Sequence, residues 1–305
     1  MVVDAHIHVW DKVDGKTANG DPVVGLAGGM IRIGQNEMLG MPAYLLDGAA
    51  RADFVVSEFN AAGVDVGVVV QDYMDGVQND YARLAAGQFP GRLIAHALPN
   101  YWDTDRVANE VESFPVDGYC GLKLPAEHLL GKIRLDDARL MPIWERLEQS
   151  QKVLAVDLAE GESQIGEMEN ILARCPRLRV AIGHFGMVNR GGWPGQLYLA
   201  RWENVYLETG GIIWLYRGEG YPFPSALAAI VRAKQEVGIE KLMWGSDWPR
   251  TMIDFTYRQS IDFIRTATVL TEQEKTLLLG NNACRLYRLQ EPKSARHPVA
   301  LVSER

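Results

Sequence analysis

Near the amino terminus the run "VVDAHIHVWD" (residues 2–11) sets two histidines and an aspartate in an otherwise strand-like apolar stretch. Successive side chains of a strand alternate between faces, so Asp4, His6 and His8 are expected on one side and Val3, Ala5, Ile7 and Val9 on the other. His6 and His8 then stand about 6 to 7 Å apart along the chain, and their imidazoles can converge on one ion. A lone histidine here would read as a core residue hydrogen-bonded to its neighbours. A His-x-His pair reads as a metal chelate, because burying two imidazoles without a partner is costly.

Three further positions carry chemistry. In "KLMWGSDWP", Met243, Gly245 and Asp247 share a strand face, with the aspartate at the strand end and the glycine leaving room beneath it. Asp247 is a ligand or general base, against the alternative of a turn former before Trp248 and Pro249. In "VAIGHFG", His184 is a metal ligand, an acid or base beside one, or a turn residue before Gly186. In "GLKLP", Lys123 either pairs with an anionic substrate or snorkels outwards.

Such residues need a frame. Apolar, β-branched runs suited to buried parallel strands occur at Val2–Val9, Val64–Val70, Leu93–Leu98, Tyr119–Leu124, Val153–Leu158, Leu178–Ile182, Val205–Leu207 and Lys241–Gly245. Amphipathic stretches such as "ARLMPIWERLEQSQ" and "SALAAIVRAKQEVG" separate them. Eight such alternations predict an α/β chain folded as a (β/α)8 TIM barrel, a single domain over residues 1–289. Active sites of this fold lie where the strands end at their carboxyl side, and closure makes the first and last strands neighbours. His6, His8, His184 and Asp247 are therefore expected to converge.

Two segments fall outside the rhythm. Residues 11–47, "DKVDGKTANGDPVVGLAGGMIRIGQNEMLGMPAYLLD", are too long for an ordinary loop and follow the first strand, so a lid over the site is expected. The tail 290–305, "QEPKSARHPVALVSER", is polar and unpatterned.

Composition restricts partners. The chain has 305 residues, 47% hydrophobic and 23% charged, enough for a large core. With 31 basic against 39 acidic residues and a formal charge of −8, nucleic acid and anionic membranes are disfavoured as partners. Cys120, Cys175 and Cys284 are scattered and form no Cys-x-x-Cys pair, which argues against a disulfide framework and a thiolate metal site. No stretch approaches the roughly 18 apolar residues of a membrane span. A soluble, cytoplasmic protein acting on a small molecule is expected; a homo-oligomer is compatible with this.

In this order and near these spacings, "DAHIHVWD", "GLKL", "GHFG", "WGSDWP" and "NNACRLYRL" resemble the amidohydrolase superfamily. The likeness is to its amidohydrolase 2 branch, which includes pyrone-dicarboxylate and sugar lactonases and enzymes similar to aminocarboxymuconate-semialdehyde decarboxylase. It spans roughly residues 2–289. The resemblance implies a barrel hydrolase or decarboxylase, with His6, His8 and Asp247 at the metal-site or catalytic positions and a divalent metal, zinc first, as cofactor. One departure stands out. Where many members carry a fifth-strand histidine ligand, this chain reads "VLAVDLAEG", with Asp157 and Glu160. Asp157 then replaces it, His184 closes the site, or the metal is weak or absent, as in some lactonases of the branch. The superfamily's carboxylated fourth-strand lysine would fall at Lys123, but the two histidines that accompany it are not both present.

A hydrolytic reading assigns roles. Asp247 takes a proton from water, an imidazole or cation at His6, His8 or His184 stabilises the oxyanion of an opening lactone, and Lys123 and Arg250 clamp a substrate carboxylate. Decarboxylation of an aromatic or muconate-type acid is the alternative, and a non-catalytic binding barrel a second. Neither a Gly-x-Ser-x-Gly elbow nor a dinucleotide fingerprint occurs.

Overall fold

The computed structural model describes residues 1–101, 103 and 118–290. Apart from Gln290, the expected carboxy-terminal tail lies outside the described residues. A strand overlaps each of the eight apolar runs. Numbered along the whole chain, the barrel strands are β1 (Val3–His8), β6 (Val66–Val70), β7 (Leu93–Ala97) and β8 (Gly121–Pro125), followed by β9 (Val153–Asp157), β10 (Arg179–Ile182), β11 (Val205–Glu208) and β12 (Leu242–Met243). They pair in parallel in sequence order. Backbone bonds from Ala5 to Trp244 (2.9 Å), His8 to Trp248 (2.7 Å) and Asp247 to His6 (2.9 Å) join the first strand to the last and close a (β/α)8 barrel.

Inward-facing Val3, Ala5, Val66, Val68, Val153, Ala155, Ala181, Tyr206 and Met243 fill the barrel interior. A larger cluster, including Ile7, Phe59, Trp144, Ile182 and Ile261, seals the strands to the surrounding helices. This is the two-layer burial that lets parallel strands read as continuous apolar runs.

The first strand departs from simple alternation. Its pairing with β6 slips between Asp4 and Ile7, so three steps on β1 match two on β6, a β-bulge. Before the bulge Val3 and Ala5 face the interior. Asp4 faces the helices, where its carboxylate accepts bonds from Tyr257 Oη (2.7 Å), Ser246 N (2.8 Å) and His6 N (3.3 Å). After the bulge His6 and His8 face the barrel mouth. The expectation that Asp4 shares their face is thus corrected: the extra residue resets the two-residue period, and Asp4 braces the reset from behind.

The insertion after β1 is folded. Its strands β2 (Asp14–Lys16), β3 (Pro22–Gly25), β4 (Met30–Ile33) and β5 (Asn36–Leu39) form an antiparallel sheet in sequence order. Val23 and Ile31 pack into the main core. Lys16 and Asp14 donate backbone bonds to Tyr73 and Asp75 in the loop after β6, which docks the sheet beside the mouth.

Candidate active site

At the carboxyl end of β1 and in the segment after β12, three side chains meet. His6 Nε2 and His8 Nε2 lie 3.1 Å apart, and Asp247 Oδ1 lies 3.7 Å from the first and 3.3 Å from the second. Glycine is required beneath them. A Cβ on Gly245 would come within 2.8 Å of His6 Cβ and 2.9 Å of Glu208 Oε2. Asp247 sits at φ 58° and His184 at φ 50°, a left-handed backbone that non-glycine residues adopt at a cost of about 1–3 kcal/mol where the surroundings enforce it. Here Asp247 is held by its own N–H on His6 O, while the Trp214 indole donates to its Oδ2 at 3.1 Å.

His6 is oriented from behind by Glu208, whose Oε1 lies 2.6 Å from His6 Nδ1 and also accepts the His184 N–H at 3.1 Å. With the ring proton on Nδ1, the lone pair of Nε2 faces the mouth. Burial raises the Glu208 carboxyl to about 7. Burial, then the charges of His184 and Lys123, hold the His6 pKa well below its ordinary value. Burial alone would raise Asp247, but His8 beside it and the neighbouring imidazoles bring it down to about 2, so it is ionised at neutral pH.

A second grouping adjoins the first. Asp157, at the end of β9, pairs through Oδ2 with Lys123 Nζ at 2.6 Å and lies 3.7 Å from His184 Nε2. His184 Nδ1 lies 3.1 Å from Gly210 O. Gly183 makes room for the aspartate, since a Cβ there would fall 1.9 Å from Asp157 Oδ1. Burial opposes ionisation of Asp157, but the Lys123 ammonium together with His184 and His6 outweighs it and lowers the carboxyl to about 2.

These residues open into a cavity of about 470 Å³, lined among others by His8, Asp157, His184, Trp214, Asp247 and Arg250. Leu39, from the last strand of the insertion, contributes to its wall. Lys123 is 1% exposed and is not part of the lining. Arg250 reaches the cavity with its guanidinium bonded to Asp75 and to Gly40 O. Both cations expected to clamp a carboxylate therefore hold oxygens of the chain itself. Arg217, at the rim, is the more exposed cation, 3.7 Å from Asp254.

The donor set suits a divalent cation. Ligand atoms of His6, His8 and Asp247 lie within 4.8 Å of one another, and so do those of His6, Asp157 and His184. Asp247 Oδ1 and Asp157 Oδ1 are buried without a hydrogen-bond partner among the described residues. Two imidazole nitrogens and a carboxylate oxygen facing one point, with one ring locked by Glu208, form an arrangement that zinc or a harder divalent ion accepts.

An amidohydrolase family model matches residues 3–289. The chain belongs to the amidohydrolase family. Among solved structures, this amidohydrolase is similar to a probable 2-pyrone-4,6-dicarboxylic acid hydrolase from Acinetobacter baumannii with citric acid bound, at 21% identity and a TM-score of 0.68, covering 94% of this chain and 99% of that one. It is similar to an amidohydrolase from Burkholderia multivorans with bound zinc, at 17% identity and a TM-score of 0.67, covering 95% and 100%. A 5-carboxyvanillate decarboxylase from Novosphingobium aromaticivorans complexed with manganese and a nitrobenzoic acid shares 15% identity at a TM-score of 0.57, covering 77% and 80%. At these identities the likeness is one of fold. No curated protein matches the chain.

Sequence reasoning missed Glu208 and Asp75. Glu208 had a signal, a carboxylate two residues beyond inward-facing Tyr206 at the end of the seventh barrel strand. Asp75 lies in an irregular loop and had none.

Proposed function

We propose that this amidohydrolase opens a lactone, or a related ester or amide, of a small carboxylated substrate by attack of water, with a divalent cation held by His6, His8 and Asp247. The observation that carries the reading is Asp247: a buried, ionised carboxylate with one oxygen pinned by Trp214 and the other facing two imidazoles at the cavity floor. When bound there, a divalent cation polarises a carbonyl and lowers the pKa of water towards about 7.

The chain's own residues supply the rest. Asp247 accepts the proton of the attacking water and returns it to the leaving alkoxide. His184, held between Asp157 and the Gly210 carbonyl, faces the cavity and stabilises the developing oxyanion. Its pKa is lowered by burial and raised more by Asp157, Asp247 and Glu208, which favours a protonated imidazole. Arg217 at the rim is placed to receive a substrate carboxylate. Zinc and manganese are the metals to test first, since they are the ions bound by two of the similar structures.

Near-complete mutual coverage with the pyrone hydrolase, against 77% and 80% for the decarboxylase, favours hydrolysis. Decarboxylation of an aromatic acid is the second reading, supported by the manganese-bound decarboxylase of the same fold. A panel of lactones and aromatic acids, followed by acid release and by CO₂ release, separates them. Acid release without CO₂ is the expected result; CO₂ release from an aromatic acid with every lactone inert refutes hydrolysis.

A further inference from the structure

His6 and His8 are not held alike. Behind His6 stands Glu208 in direct hydrogen-bond contact. Behind His8, the nitrogen that faces away from the mouth, Nδ1, lies 3.4 Å from Asp75 Oδ2, and both atoms are buried without another partner among the described residues. Asp75 is 1% exposed, in the loop after the second barrel strand. Its other oxygen, Oδ1, is bonded to Arg250 Nη2. Arg250 in turn donates through Nη1 to Gly40 O at 2.9 Å, just past the last strand of the insertion, and its guanidinium lies over the Trp10 ring at 5.5 Å.

A guanidinium fork committed at both ends is a poor receptor for a substrate carboxylate, because binding one would strip a buried aspartate of its counter-charge. The same fork is well suited to fixing the plane of Asp75, and a carboxylate fixed behind an imidazole sets the orientation and basicity of a metal-ligating histidine. We propose that Asp75 and Arg250 are positioning residues: Arg250 orients Asp75, Asp75 orients His8 for the cation, and the same guanidinium anchors the end of the insertion at Gly40. This deepens the proposed metal-dependent reading and rests on it. It assigns Arg250 a role other than clamping substrate.

Cobalt(II) serves as the probe, since its visible absorption reports the ligands around it and its affinity can be titrated without turnover. Asp75→Asn keeps the size of the side chain and removes its charge. It is expected to weaken cobalt binding about 10- to 100-fold and to change the spectrum. Arg250→Met is expected to act in the same direction. Arg250→Lys separates the two tasks, because one ammonium can hold Asp75 without also reaching Gly40. It is expected to restore cobalt affinity to within about threefold of the wild type, while amide exchange at Gly40 and Met41 stays faster than in the wild type. Asp75→Asn and Arg250→Met proteins that are folded and bind cobalt with wild-type affinity and spectrum overturn the positioning role. So does an Arg250→Met protein whose only change is a raised KM for carboxylated substrates, the signature of a clamp. Wild-type protein that takes up no cobalt overturns the metal-dependent reading and this inference together, an outcome distinct from the other two.

Discussion

His6 Nε2 and His8 Nε2 face each other at 3.1 Å, and the β-bulge at the start of the same strand is what turns both rings to the mouth of the barrel. Two nitrogens from residues two apart come this close only when both rings tilt to a common point, and the rings here meet at 57°. The pair sits beside Asp247, so a change to any one of the three side chains is felt by the other two.

Asp247→Asn keeps the side-chain volume and the Trp214 contact but cannot accept a proton. Turnover is expected to fall about 10²- to 10⁴-fold with the melting temperature nearly unchanged and with substrate or product still bound. Steady-state kinetics beside a thermal melt check this. A folded variant with wild-type turnover removes Asp247 from the mechanism.

His184→Asn addresses the oxyanion. The residue is held by Asp157 and Gly210 and is 22% exposed towards the cavity. Loss of its charge is expected to lower kcat about 10²-fold and leave KM and bound metal near the wild-type level. A loss of metal content instead makes His184 a ligand.

The insertion reaches the cavity through Leu39. If it closes over bound substrate, Leu39→Ala removes apolar contact made only in the complex. KM is then expected to rise about threefold to tenfold with kcat within about twofold. Unchanged KM would take the insertion out of substrate binding.

Asp4 links pH to stability through the bulge. Burial pushes its carboxyl from 3.8 to about 7, against the donors Ser246, Tyr257 and His6 that pull it down. Between about pH 4 and 7 the folded chain keeps this proton and the unfolded chain has lost it. The stabilising contribution is full below the ordinary carboxylate range and disappears as the pH rises through about 7. Urea midpoints measured from pH 4 to 8 are expected to show that decline in the wild type and a flatter profile in Asp4→Asn, whose amide can still accept from Ser246 and His6. Parallel profiles for the two proteins would refute the assignment.

Much of this was legible in the residues. The eight apolar runs marked eight barrel strands because a parallel sheet covered on both faces tolerates little else, and the ends of those runs pointed to His6, His8, His184 and Asp247. The insertion was visible as an interruption, but its four short strands were not, because three- and four-residue strands set among glycines carry too little pattern to register. The face of Asp4 was misread because strand alternation assumes an unbroken ladder, and the bulge that breaks it depends on how β1 pairs with β6.

The sequence by itself determined the barrel, the order of its strands and the residue types at their carboxyl ends, since these follow from local periodicity and from a fold rule that places chemistry where the strands stop. Only the tertiary structure decided the pairings. Asp157 is committed to Lys123, Glu208 stands behind His6, and Arg250 is engaged by Asp75 and Gly40. Each of these contacts joins residues 34 to 210 positions apart. Closing the barrel brings their charges within a few ångströms in a poorly solvated space, where Coulomb interactions are strongest, and no local pattern in the chain encodes which carboxylate each cation will meet.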